Sequence, residues 1–282
     1  ATEEVDQPDG SEAVIVAPRI RVIGPKTAVN EIDGAELAWV PAGVFLRGSP
    51  EGVGAGDERP QKTIDLDGFW IYKHPVTVGQ YRKYCEATGK EFKPTWGQQM
   101  RANPQVEEGC YAVQVNWYEA ADYAKWAGAV LPTEAQWEKA ARGTDGREYP
   151  WGDRWDAARC VSMEETLYRF SPGFRPVDSY PGGASPYGAL DMAGNVWEWV
   201  ADWYAYEAYR GAPDKNPTGP ATGSHKVLRG GSSLYDERFS RCAARMTMPP
   251  HVRDWTPTGF RCTIAAPGPD APASHDADST TR

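Results

Sequence analysis

Three carboxylates, Asp191, Glu198 and Asp202, share one short run, Gly188 to Tyr204, with three tryptophans, Trp197, Trp199 and Trp203. Carboxylates only accept hydrogen bonds. A turn at Ala193–Gly194 lets Asp191 and Glu198 converge with backbone carbonyls, an oxygen set that suits Ca²⁺ with its six to eight ligands. The same residues also read as a plain strand. Trp197 and Trp199 alternate with Val196, Glu198 and Val200, so neighbouring side chains take opposite faces. On that reading the indoles fill a core, each burying ~150–250 Å², and the acids face water. The residues by themselves leave both readings open.

Soft-metal chemistry finds little support. The five cysteines (Cys85, Cys110, Cys160, Cys242 and Cys262) form no CxxC pair and no Cys/His ligand spacing, which argues against zinc. Their odd number leaves at least one thiol free in a monomer. The histidines are His74, His225, His251 and His275. No two share a helix at i, i+4, so non-haem iron is disfavoured. His74, before Pro75, reads as a surface or packing residue.

These residues need a scaffold, and the totals bound it. A chain of 282 residues without a central linker reads as one domain with tails. Its 24 prolines, 29 glycines and 12% aromatic content suit a loop-rich α+β domain. The net charge of -9 argues against nucleic acid or an anionic membrane as partner. No apolar run approaches the ~20 residues that span a bilayer. Residues 1–35 read as an N-terminal arm or linker that adds a strand at most, 36–266 as the domain, and 267–282 as a disordered tail poor in apolar residues. Reduced-looking cysteines favour the cytoplasm. The absence of an initiator methionine leaves a secreted or periplasmic mature form open.

Local signals place the elements. Leu37–Gly48 and Gly68–Tyr72 read as strands. Thr77 caps a helix to about Thr88, with Gly89 past its end. Asn116 with Glu119, and Thr133 with Gln136, have capping-box spacing ahead of helices to Trp126 and Arg142, stopped by Gly128 and Gly143. Tyr149–Ser185 reads as irregular loops. Val227–Gly230, Arg241–Arg245 and Gly259–Thr263 read as closing strands.

Seven further segments accompany the central run in order: WVPAGVFLRGS from Trp39, GFWIYKHPVTVGQY from Gly68, LPTEAQWEKAARG from Leu131, YPWGD from Tyr149, VLRGGSS from Val227, RCAAR from Arg241 and TGFRC from Thr258. Together they resemble the formylglycine-generating-enzyme (sulfatase-modifying factor) family across about Leu37 to Ile264. The resemblance implies an elaborated C-type-lectin-like α+β fold with short helices and small antiparallel sheets. It also implies a calcium site at Asp191, the Gly194 and Val196 carbonyls, and Glu198: one structural Ca²⁺. A second family site falls near Arg159, Cys160, Arg169 and Ser171, where arginines replace the acidic and amide ligands, so that site is lost.

The family oxidises a substrate cysteine with copper(I) held by two cysteines after the GGS motif. Here that loop, Ser232–Ser240, has none, and Tyr235 stands at the first thiol position. A phenol cannot replace a soft thiolate. The expectation is therefore no copper, no iron and no sulfatase activation. Family disulfide partners of Cys242 and Cys262 correspond to Ala124 and Ala141, which implies buried thiols; a Cys242–Cys262 bridge stays possible.

Three readings of function follow from the resemblance. The leading one is a monomeric module that binds a protein or small molecule between GGS and GFR, as variable proteins of diversity-generating retroelements do. Its contact residues would be Ser233, Leu234, Tyr235, Asp236, Glu237, Arg238, Phe239, His251, Asp254 and Trp255. The second is a cysteine-independent oxidase or tautomerase of a small molecule, like the pyoverdine-maturation branch, using Tyr235, Glu237 and Trp197. The third is formylglycine-type oxidation with displaced cysteines.

Overall fold

A computed structural model describes residues 17–92, 115–164, 175–253, 256–265 and 267–269. The three described helices are α1 (Val78–Thr88), α2 (Trp117–Trp126) and α3 (Glu134–Arg142). Each starts at a reciprocal capping box. Thr77 accepts from the Gln80 amide, Asn116 from Glu119 and Thr133 from Gln136, and each N3 side chain returns the bond. Gly89 ends α1 in the left-handed region.

Three sheets carry the rest. The largest runs β1 (Ile20–Gly24), β2 (Thr27–Asn30), β3 (Glu36–Val40), β6 (Phe69–Tyr72), β11 (Thr263–Ile264). The second runs β10 (Thr258–Phe260), β7 (Trp197–Trp203), β8 (Lys226–Arg229), β9 (Met246–Met248). A two-stranded ribbon pairs β4 (Gly43–Arg47) with β5 (Lys62–Leu66). In the stretch set aside as an arm, Ile20–Gly24 and Thr27–Asn30 form a hairpin that extends the first sheet beyond β3.

Two expected strands are divided. Leu37–Gly48 splits at Pro41, which has no N–H for a ladder, and at Gly43, whose φ of 125° suits glycine. Its first half pairs with β6 and its second with β5. Gly259–Thr263 splits likewise: β10 lies parallel to β7, and β11 antiparallel to β6. Arg261 and Cys262 therefore sit where the chain crosses between sheets. Arg241–Arg245 is a turn, not a strand, because its arginines are drawn to Glu58 and Glu134. The closing strand is Met246–Met248.

Strand β7 separates two cores. Trp197 and Trp199 pack with Trp70, Tyr123 and Phe260; Val200 packs with Trp137, Val227 and Phe45. Both faces of the strand are covered. The acids of the central run do not face water: Asp191 is 9%, Glu198 0% and Asp202 6% exposed.

Charges that helix α3 buries find partners far along the chain. Glu138 binds Arg142 at 2.7 Å and Arg229 at 2.6 Å, and Glu134 binds Arg245 at 2.7 Å. The Lys139 ammonium donates to the Pro41 and Gly43 carbonyls, and burial pushes it down to about 8. Cys85, Cys160, Cys242 and Cys262 are all buried, and Cys242 and Cys262 are free thiols, so no Cys242–Cys262 bridge forms. Cys110 lies outside the described residues.

Candidate functional site

The turn before β7 is built from left-handed residues. Asp191, Gly194 and Asn195 have φ of 55°, 74° and 67°. Gly194 has to be glycine, since a Cβ there would strike the Val161 carbonyl. Backbone bonds lock the turn, Gly194 N–H to Gly230 at 2.7 Å and Asn195 N–H to Val161 at 2.8 Å.

This turn brings Asp191 and Glu198 to one guanidinium. Arg261 Nε donates to Glu198 Oε2 at 2.6 Å and Nη2 to Oε1 at 2.7 Å. Nη2 also reaches the Leu190 carbonyl at 2.9 Å and that of Asp191 at 3.3 Å. Trp137 Nε1 adds a third bond to Glu198, at 2.8 Å. The cation beside these acids is thus supplied by the chain. Sequence reasoning missed Arg261; its signal was a lone arginine inside the strand-like GFRC segment. Asp191 is less well matched. Its Oδ2 is buried without a partner, and Oδ1 has only a long bond, 3.4 Å, from Asn195. Burial pushes this carboxyl up to about 7, opposed by Arg261. An orphaned carboxylate oxygen fits a hard cation, whereas Glu198 has its charge already met.

Of the two readings of His74, packing is the one that holds. Its side chain is 13% exposed and pairs with Asp178 at 3.2 Å. Burial pushes the imidazole down to about 4 against that partner.

The loop after Gly231 folds over Trp197. Tyr235 meets the indole edge-on at 5.4 Å, Phe239 meets it at 6.2 Å, and the two rings meet each other at 5.1 Å. Ser233 N–H bonds Asn195, and Met163 N–H bonds the Tyr235 carbonyl. The loop is therefore tied to the turn beneath it. Trp197 Nε1 and the Oγ of Ser240, the residue after Phe239, are buried without partners, as is Thr256 Oγ1. Buried donors are normally satisfied, so such a group invites a ligand or water.

The other sequence-selected positions divide. Ser233 is buried; Leu234, Glu237, Arg238 and His251 are exposed; Asp236 is half-buried. Asp236 and Arg238 pair with each other, which holds the Asp236 carboxyl below its usual range. Glu237 does not join Trp197 and Tyr235: its carboxylate makes no hydrogen bond among the described residues. Its charge is felt by Tyr149, whose phenol burial pushes up to about 12. Asp254 and Trp255 lie outside the described residues.

The sequence matches the model of the sulfatase-modifying factor enzyme 1-like domain over residues 25–266. The chain belongs to this family. It is 40% identical over 245 residues to the serine/threonine-protein kinase pkn1 of Chlamydia caviae, covering 80% of this chain and 37% of that one. It is 33% identical over 280 residues to the formylglycine-generating enzyme of Streptomyces coelicolor, covering 79% of this chain and 87% of that one. The structure of PvdO from Pseudomonas aeruginosa superposes with a TM-score of 0.70 at 26% identity, covering 86% of this chain and 99% of that one. The fold is the C-type-lectin-like fold of the family. The chain spans little more than a third of the chlamydial kinases it matches.

Set in this family, the loop's departure is chemical. Tyr235, which the resemblance sets at the first copper-thiol position, meets Trp197 edge-on. Among the described thiols, Cys242 and Cys262 are poorly suited to replace it. Burial pushes Cys242 up to about 12 and Cys262 well above its ordinary value. Copper(I) binds the thiolate, not the thiol. Among the described residues no group of three or more His, Cys, Asp or Glu side chains is placed to hold a metal.

Proposed function

We propose that this domain binds a ligand at the Trp197–Tyr235–Phe239 platform and does not generate formylglycine. The observation that carries this reading is the loop itself: Tyr235 and Phe239 folded against Trp197, whose Nε1 is buried without a partner, as is the neighbouring Ser240 Oγ, with every described thiol buried. Rings supply contact area at low entropic cost, and the orphaned groups supply directional bonds. A small molecule or peptide segment with a flat group and hydrogen-bonding atoms fits. In a longer chain like the chlamydial kinases, such a domain would be the ligand-reading part. Comparing related chains from one genome tests the variable-protein version: substitutions should gather in Ser233–Thr256.

Oxygen uptake separates binding from oxidation. With Cu(I), O₂ and a cysteine peptide, the domain should consume no oxygen above the copper-only control. Turnover that disappears in Cys242→Ser or Cys262→Ser would refute the binding reading. A cysteine-independent enzyme is the second reading, favoured by the likeness to PvdO. It would use Tyr235 beside Trp197, with Glu237 reached only after the loop rearranges.

We also propose one Ca²⁺ at Asp191 with the Gly194 and Val196 carbonyls, Glu198 offering its remaining lone pairs. The orphaned Asp191 Oδ2 supports it. Because Arg261 already neutralises Glu198, affinity should be modest, on the order of 10⁻⁴–10⁻³ M. About 10 mM Ca²⁺ should then raise the melting temperature by roughly 3–10 °C. The rise should vanish in Asp191→Ala. An equal rise in that variant would remove the site from this turn.

A further inference from the structure

A second concavity lies apart from the aromatic platform. Helix α2 presents Trp117, Ala121, Ala124 and Lys125 at helical spacing, and Leu131 and Ile264 close the opposite wall around about 540 Å³. That volume falls within the range of small-molecule pockets. The lining residues are mostly apolar. Val130, which lines it, is 59% exposed.

Charge distinguishes this groove from a bare apolar face. Lys125 is the one charged lining residue among those described, and it makes no ion pair among them. A second lysine contacts two of the lining residues. The Lys226 ammonium sits 3.9 Å from the Trp117 ring centroid and 3.9 Å from that of Trp203, and donates to the Ala201 carbonyl at 2.7 Å. Both Trp117 and Ala201 line the groove. On a chain of net charge -9, the unpaired Lys125 thus sets the sign of this apolar trough, while the charge of Lys226 is met by Asp202. A cationic ligand meets repulsion there, and an anionic head meets attraction.

We propose that this groove binds a free, single-chain amphiphile with a carboxylate head, of the medium-chain fatty acid class. The alkyl chain lies against Trp117 and the alanines of α2, and the carboxylate pairs with Lys125 at the rim. This site does not depend on the reading given for the Trp197 platform.

Titrations of octanoate, decanoate and dodecanoate, followed by calorimetry below their micellar concentrations, test it. Affinity should tighten about fourfold per methylene until the groove is full. Lys125→Ala should weaken decanoate roughly 2- to 5-fold and leave decanol unchanged. Ala121→Phe should abolish binding. Lys125 is exposed, so its variant tests the site even if the phenylalanine variant misfolds. Equal binding of decyltrimethylammonium would overturn the proposal. So would binding only to phosphatidylglycerol vesicles, which would make the face a membrane-docking surface. Binding that appears only after residues 1–16 are deleted would assign the groove to the chain itself and equally overturn it.

Discussion

Arg261→Lys should destabilise the domain by about 3–5 kcal/mol, although it keeps the charge. The guanidinium uses all three nitrogens. Nε and Nη2 hold Glu198, Nη1 donates to the Tyr72 and Lys73 carbonyls, and Nη2 reaches Leu190 and Asp191. An ammonium offers three donors around a point and cannot copy the planar fork. Lysine leaves at least one side of Glu198 and several carbonyls without donors, in a place where water does not reach. Breaking a buried pair costs more than the pair was worth, because the remaining charge stays desolvated. For a domain of this size the loss corresponds to roughly 6–20 °C in melting temperature. Urea denaturation checks it. A loss under about 1 kcal/mol would mean that Glu198 is held by something other than Arg261, a bound cation being the obvious candidate.

Arg261 also illustrates what can be read from the chain. The helix starts were legible because capping is local: Thr133 and Gln136 satisfy each other three residues apart. Chain breaks at Pro41 and between Phe260 and Thr263 were not. Which sheet each half joins depends on partners such as β5 and β6, not on the segment itself. The buried charges were hidden for the same reason. Glu134 and Arg245 are 111 positions apart, and nothing near Glu134 announces a partner. Its hydrophilic type pointed to the surface, while tertiary pairing put it inside. The same mechanism turned the acids of the central run inward.

The candidate site was half legible. The missing thiol pair in Ser232–Ser240 is a matter of residue type, so it could be read directly. The contact of Tyr235 with Trp197 follows from a loop folding back over a strand and needs three dimensions. Glu237 was chosen for its acid–base chemistry. A carboxylate in a loop tip is placed by water as readily as by a neighbour, and here it stays exposed. Conversely, Lys226 between two indoles is invisible in the sequence, because Trp117 and Trp203 come from a distant helix and the end of β7.

The second large effect belongs to Asp202 and should appear as an inverted pH dependence. This carboxyl is buried at the end of β7 and accepts from the Glu134 amide at 2.7 Å. Burial raises it to about 7, the Glu134 carboxylate of α3 adds to the rise, and Arg245 opposes it. The Lys226 ammonium of β8 also faces it, itself pushed down by burial to about 8. Below pH 3.8 folded and unfolded chains both hold the proton. Between 3.8 and about 7 the unfolded chain releases it while the fold retains it. Stability from this group therefore falls as pH rises through that window, and above pH 7 the charged carboxylate leaves the fold worse off by roughly 4 kcal/mol. Other groups slope the opposite way: Glu58 and Glu134 are both held below their ordinary values. The test is consequently a difference. Asp202→Asn keeps an acceptor for the Glu134 amide and removes the titration. Its stability relative to the parent chain should climb by roughly 3–4 kcal/mol between pH 4 and pH 8, measured by urea unfolding. Parallel profiles would mean that Asp202 is ionised in the fold throughout, with Lys226 neutralising it more fully than the burial of both allows.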